Sequence, residues 1–359
     1  MNQAQKIPYV IEGSIPERYP RGWFCIGAGY EFTNEPRMMN YFGTSLVGFR
    51  GEDHQVHILD AYCPHMGANL ADGTVSGNSV ICPFHAWSWG ADGVCDNIPY
   101  AKKIPPKAVI KSWPTMEEND LVYVWCDMEE GSQPFDTQGI PRHEWLDSDD
   151  NWSPWIVDRA EVPSNARELI DNMADVAHFA VVHKMDEAGM NVTEFQNIAE
   201  KHTYRQIMNA KTADDSIHYN SVATYYGPGY MVHTMDFFDQ EDNRVDRMMS
   251  LVINVPTGLE SFQFIAGFKH IMPADIQGDE TNPEVKAFMD KTLADHQASS
   301  GVYADLAIWQ SKTTIDNPIL CDGDGPVNRL RQWYNQFLVP VDQIPPVLNE
   351  RKVYEKALE

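Results

Sequence analysis

Cys63-Pro64-His65 and Cys82-Pro83-Phe84-His85 each place one thiolate and one imidazole on a short stretch of chain. Two such pairs suit a binuclear iron–sulfur centre in which one iron takes two cysteines and the other takes two histidines. A structural zinc ion also accepts two cysteines and two histidines, but its usual spacing sets cysteine beside cysteine and histidine beside histidine. Here the two types alternate, so each loop serves both metals. Gly67, Gly73 and Gly77 loosen the backbone nearby, and Pro64 and Pro83 stiffen it beside the ligands. Neutral imidazole ligands raise the potential of such a centre above that of an all-cysteine cluster. It could take electrons from a ferredoxin or flavin reductase and pass them to a stronger oxidant.

A second constellation, Asp175-x2-His178-x4-His183, offers two imidazoles and a carboxylate. Two histidines and one acid on one face leave open positions on Fe(II) for dioxygen. The spacing sets a condition. Asp175 and His178 are neighbours at i, i+3, but five residues turn an ideal helix through about 500°, leaving His178 and His183 some 140° apart. The helix must therefore end or distort near Val182. Two acids compete for the third ligand position. Asp175 could bind directly, or stand behind His178 and orient its ring. Asp305 is a charge inside the apolar run Tyr303-Ala304-Asp305-Leu306-Ala307-Ile308-Trp309. It is either a ligand or the exposed residue of an amphipathic helix.

The elements around these residues differ between the two halves. From about Tyr41 to Asp127 short runs rich in β-branched and aromatic residues alternate with turn signals, predicting strands at Ser45–Phe49, His54–Leu59 and Leu121–Trp125. The segment from Pro20 to Tyr30 is expected to pack against this small all-β unit. Residues 1–135 form the expected front domain, 136–150 a linker rich in acids, Gly and Pro, 151–340 a catalytic domain, and 341–359 a tail. In the rear half, Leu169, Met173, Val176 and Ala180 make one apolar stripe and predict a helix from Asn165 to Val182, with Asn165 and Glu168 as a capping pair. Alternation from about His218 to Phe268 predicts strands, interrupted by Gly227-Pro228-Gly229. Pro283 to about Thr313 reads as one long helix, and Asn349 to Glu359 as a peripheral one. The expected substrate cavity lies under the sheet, lined by Tyr225, Tyr226, Gly227, Pro228, Met231 and Trp309. Aromatic and methionine side chains suit a broad apolar ligand, and equally a core.

Composition excludes several functions. The formal charge of −25 opposes nonspecific nucleic-acid binding, which needs cationic side chains to displace counterions. No run of 18 uncharged apolar residues predicts a membrane span, and Met1 to Tyr9 lacks the pattern of a secretory signal. Cys25, Cys95, Cys126 and Cys321 are scattered and read as small hydrophobes rather than a disulfide framework, which suits a reducing cytoplasm. Lys102, Lys103, Lys107 and Lys111 form a local basic run after the second Cys/His pair. It reads as a solvated surface or as a docking patch for an acidic electron donor.

The combination of Cys-Pro-His-x16-Cys-Pro-Phe-His with Asp-x2-His-x4-His resembles the Rieske non-haem iron oxygenases. Within them it is most similar to the branch of 3-ketosteroid 9α-hydroxylase oxygenase components. Ile58-Leu59-Asp60-Ala61-Tyr62-Cys63, Asn97-Ile98-Pro99-Tyr100-Ala101, Ile170-Asp171-Asn172, Ile315-Asp316-Asn317-Pro318 and Asp324-Gly325-Pro326 carry the likeness, which runs from about Pro20 to Phe337. The resemblance implies an α+β protein: an N-terminal all-β Rieske [2Fe–2S] domain and a C-terminal helix-grip catalytic domain with an antiparallel sheet. It implies a cluster on Cys63, His65, Cys82 and His85, and a mononuclear Fe(II) on His178, His183 and Asp305. It also implies a head-to-tail homotrimer in which Asp175 bridges a cluster histidine of one subunit to an iron-ligand histidine of the next.

Dioxygen is the implied co-substrate, electrons come from NADH through a separate flavin/ferredoxin-type reductase, and the implied substrate is a 3-ketosteroid, sterol or bile-acid catabolite. Many ring-hydroxylating members carry Asn four residues before the bridging aspartate. This chain has Asp171 there, followed by Asn172, and neither receives a role from the resemblance. Desaturation or demethylation on the same scaffold is an alternative outcome. A plain electron carrier would need only the front half.

Overall fold

The computed structural model describes residues 18–129, 139–148, 150–185, 189–299, 301–321, 323–344 and 351–355. Residues 136–138 and 149 of the expected linker, and parts of both termini, lie outside the described residues. Among those described, no helix is long and apolar enough to cross a membrane.

The front half is built from eleven short strands: β1 (Gly22–Ala28), β2 (Arg37–Tyr41), β3 (Thr44–Arg50), β4 (Val56–Asp60), β5 (Thr74–Ser76), β6 (Ser79–Ile81), β7 (Ser88–Gly90), β8 (Cys95–Asn97), β9 (Ser112–Trp113), β10 (Thr115–Glu118) and β11 (Leu121–Cys126). They form antiparallel sheets in the orders β1-β11-β10, β2-β3-β4-β9 and β5-β6-β7-β8. The expected strands in this region are present within a residue or two. β11 reads Leu-Val-Tyr-Val-Trp-Cys and is buried throughout, because it lies between β1 and β10 with both faces covered.

The rear half opens with β12 (Ile156–Val162), then short helices α1 (Arg167–Ile170) and α2 (Ala177–Val181). The strands β13 (Met190–Glu200), β14 (Thr203–Thr212), β15 (His218–Tyr226), β16 (Tyr230–Phe238), β17 (Arg244–Gly258) and β18 (Ser261–His270) follow. After them come α3 (Pro283–Ala298), α4 (Val302–Trp309), α5 (Val327–Tyr334) and β19 (Lys352–Glu355). One eight-stranded antiparallel sheet runs β12-β18-β17-β16-β15-β14-β13-β19. Leu169, Met173, Trp309, Leu330 and Trp333 pack from the helical segments onto Tyr225, Val252 and Phe264 of this sheet. A separate core joins the halves: Phe24, Tyr123 and Trp125 of the front share it with Tyr230, Leu251 and Ile253 of the rear.

Three expectations need correction. The helix expected over Asn165–Val182 is broken into α1, a 3₁₀ turn at Asp171–Met173, and α2. Asn165 does cap its start, accepting from the Arg167 amide at 3.0 Å. Glu168 is not its capping partner; it is buried among Arg167, Lys312 and Arg331. The single helix expected over Pro283–Thr313 is two: α3 ends at Ala298 and α4 starts at Val302. Finally, Lys352–Glu355 is a strand, not helix, and adds to the free edge of β13, covering backbone groups that would otherwise be unpaired.

Candidate active site

The two Cys/His loops leave β4 and β6 side by side. The amide of Gly67 closes the first loop onto the Cys63 carbonyl at 2.8 Å, and the amide of Ala86 closes the second onto the Cys82 carbonyl at 3.0 Å. Gly67 and Ala86 both take positive φ, 79° and 55°, as such tight returns require. Cys63 and Cys82 point inward, buried on Leu70, Val80 and Trp89, and sit within hydrogen-bonding reach of each other. Burial and the neighbouring Cys82 push the Cys63 thiol up; a bound cation would reverse that. The imidazoles sit further out. Their ring centroids lie 4.7 Å apart, and His65 stacks on Trp87 at 4.5 Å.

The Nδ1 atom of His85 is buried without a protein partner. Two paired thiols and two paired imidazoles fit a binuclear cluster. They do not close on one ion: among the described residues, the group of three donors lying within 4.8 Å of one another is elsewhere.

That group is His178, His183 and Asp305. The helical obstacle is removed by the chain itself. α2 ends at Val181, so His183 lies past the helical spacing. It sits beside His178, their ring centroids 5.1 Å apart. Asp305 arrives from α4, only 6% exposed, its Oδ2 3.3 Å from His183 Nε2. A solvent-facing Asp305 is therefore excluded. Its second oxygen, Oδ1, accepts from Asn172 Nδ2 at 3.1 Å. Burial pushes the His178 imidazole down, against the opposing pull of Asp305 and Asp175, so it is neutral and able to ligate. The donor set and spacing fit a ferrous ion in a facial triad.

Asp175 is 38% exposed on its side chain, and its Oδ2 lies 3.7 Å from His178 Nδ1, itself buried without a hydrogen bond. Its Oδ1 accepts from the amides of Ala177 and His178. It stands behind His178 rather than in the triad. Asp171 binds Arg331 through both oxygens, a structural pairing.

A cavity of about 500 Å³ opens onto the triad, a size suited to a small-molecule ligand. Tyr225, Met231 and Trp309 line it as expected. Tyr226, Gly227 and Pro228 do not. Tyr226 points to the other sheet face, toward His143 and Tyr230. Gly227, at φ 78°, turns β15 into β16, and Pro228 abuts Gly22 of β1 so closely that any side chain there would collide with it. This turn joins the halves instead of shaping the cavity. Phe179, Gln206, His233, Ser250 and His296 line the cavity without having been singled out by sequence, and so does Asn172, which the resemblance left without a role. Period-two alternation placed the strand residues on one face, but did not mark which face borders empty space. Lys102, Lys103 and Lys107 are exposed, while Lys111 lies 3.4 Å over the Trp113 ring.

Comparison with known proteins agrees with this geometry. The Rieske [2Fe-2S] domain matches residues 22–114, and the 3-ketosteroid 9alpha-hydroxylase C-terminal domain matches residues 124–338. The chain belongs to the 3-ketosteroid 9α-hydroxylase oxygenase family. Within that family, it is 38% identical to the probable 3-ketosteroid-9-alpha-monooxygenase oxygenase component of Rhodococcus rhodochrous, over 96% of this chain and 86% of that one. A more distant relative is the cholesterol 7-desaturase of Drosophila melanogaster, 27% identical over 92% of this chain and 77% of that one. Among solved structures, dicamba monooxygenase bound to dicamba superposes with a TM-score of 0.70 at 18% identity, over 89% of this chain and 98% of that one. That likeness speaks for the fold. Family membership makes this chain a Rieske-type non-haem iron monooxygenase, the oxygenase component that works with a separate reductase on a small molecule.

Proposed function

We propose that this chain is the terminal oxygenase of a steroid hydroxylase, acting on a 3-ketosteroid at the 9α position with dioxygen and with electrons from NADH. One observation carries the reading: an apolar cavity of about 500 Å³ opens directly onto His178, His183 and Asp305. His178, His183 and Asp305 would hold the iron; Cys63, Cys82, His65 and His85 would hold the cluster. Bound there, these groups supply single-electron delivery and oxygen activation. The chain's own contribution is placement. Met173, Met231, Tyr225 and Trp309 exclude water and present a flat apolar ligand to the triad, and Asn172 keeps one Asp305 oxygen away from it.

Asp175 supports a homotrimeric arrangement. Its carboxylate faces His178 yet remains partly exposed, and Val181, at the far end of α2, is 79% exposed. A histidine from a neighbouring subunit's cluster could reach it there. Within one subunit the cluster loops and the triad helices belong to separate cores, one around Cys63 and Cys82 and the other around Leu169 and Met173, which favours transfer between subunits. The absence of disulfides among the six cysteines supports a cytoplasmic setting.

The deciding experiment is turnover with a reductase, NADH and a panel of steroids, followed by mass and regiochemical identification of products. A 9α-hydroxylated 3-ketosteroid is expected. Formation of a product two hydrogens lighter would favour desaturation, the chemistry named for the Drosophila melanogaster relative. Failure of every steroid to yield an oxidised product would sink the reading.

A further inference from the structure

The cavity floor is apolar except along one line. Gln206, Ala223, His233, Ser250 and Phe268 stand in register across β14 to β18, and all five line the cavity. The adjoining line on one side carries Met208, Met235 and Met248, with Ser221 between the first two. On the other side lie Tyr225, Met231 and Val252. A polar row flanked by methionine and aromatic rows is placed to meet a polar atom on an otherwise apolar ligand.

Gln206 is committed elsewhere, donating through Nε2 to the Met173 carbonyl at 2.8 Å. His233 is not. Its Nε2 lies 2.6 Å from the Ser221 hydroxyl, which Tyr219 also contacts. Its Nδ1 has no hydrogen-bond partner among the described residues and is not sealed from free space. Burial holds the imidazole neutral, with its pKa pushed down to about 4. A neutral ring has one donor and one acceptor nitrogen, and the partner of one decides the role of the other. Where Ser221 donates to Nε2, Nδ1 carries the proton and offers an N–H to a keto oxygen; where Nε2 donates to Ser221, Nδ1 accepts from a hydroxyl. An unmet polar nitrogen on an apolar floor is unfavourable, and a hydrophobic residue would fill the place without that cost.

We propose that His233, backed by Ser221 and flanked by Ser250, is the hydrogen-bond anchor for a keto or hydroxyl oxygen of a flat, fused-ring apolar ligand. The anchor fixes which C–H bond faces His178, His183 and Asp305. This inference rests on the steroid reading above and adds a specificity-determining residue to it.

The test is equilibrium binding to the iron-loaded holoenzyme, kept anaerobic and without reductase so that nothing turns over. Three probes are used: a 3-ketosteroid with a second keto group at the far end of the skeleton, and two matched analogues each lacking one oxygen. Wild type should bind one analogue roughly tenfold more weakly, the size of one hydrogen bond lost. That penalty should vanish in His233→Phe and return in part in His233→Gln, which keeps an N–H donor. Ser221→Ala leaves the ring in place and should shrink the penalty. Iron content and thermal melting establish that each variant is folded. A penalty of the same size in folded His233 variants overturns the anchor. If wild type binds all three probes alike, the anchor falls and the steroid reading stands; if it binds none, both fall.

Discussion

Asp175 and Asn172 each act on a metal-site residue without belonging to the three-donor group. The Asp175 carboxylate caps α2 and faces His178 Nδ1, so Asp175→Ala should leave iron and cluster contents near wild type while abolishing coupled turnover. Metal analysis beside product yield checks this, and normal rates would remove Asp175 from electron delivery. Asn172 ties Oδ1 of Asp305. Residues that orient a metal ligand typically contribute 10- to 100-fold in affinity. Asn172→Ala should therefore weaken ferrous binding to the metal-free rear site by about tenfold in a direct titration, and unchanged affinity would show the bond to be incidental. Cys63, His65, Cys82, His85, His178 and His183 were legible because their chemistry is rare and their spacing local. Asn172 and His233 were not: an amide or a lone imidazole in an apolar run gives no sign of what it faces.

α1 and α2 show where periodicity misleads. The stripe from Leu169 to Ala180 suggests one helix, but pattern counting does not see Asp171 drawn to Arg331, Glu168 held by Lys312, or a loop from a distant part of the chain lying against Ala174. That loop contains Gly325, and a Cβ built there would stand 1.6 Å from the Ala174 carbonyl oxygen. No side chain fits without moving one backbone or the other. Gly325→Ala should cost about 1–3 kcal/mol, the usual range for overpacking, and displace Asp175, the next residue. Turnover should fall further than thermal stability, as a melting curve and a rate assay on one preparation would show. A wild-type melting temperature would mean the loop relaxes freely. The strands were easier to read, because alternation reports burial on one sheet face directly. The tail was misread because an exposed charged segment serves as helix or edge strand depending on which neighbour needs pairing.

For the folded molecule, acid sensitivity follows from histidines held neutral. His143, His233 and His296 have pKa values pushed down to about 4, chiefly by burial. Their folded-state values lie below the unfolded value of about 6.5, so the unfolded chain takes up protons that the folded one refuses. Stability is therefore full above pH ~6.5 and declines as pH falls toward ~4. Urea midpoints for metal-free protein across that window should fall with pH, and less steeply in His143→Phe; a flat profile in wild type contradicts the assignment. From residue types and spacing alone came the paired thiol and imidazole donors, the two histidines of the second constellation, the strand-rich halves and the acidic surface. These depend on local chemistry and short-range periodicity, which a linear chain displays. The tertiary structure decided that Asp305 stands with His178 and His183 while Asp175 stands behind them. It also decided that Tyr226, Gly227 and Pro228 face away from the cavity and that a polar row crosses its floor. Each of these depends on which distant segments meet, and that is settled by packing, buried charge pairing and cross-strand register.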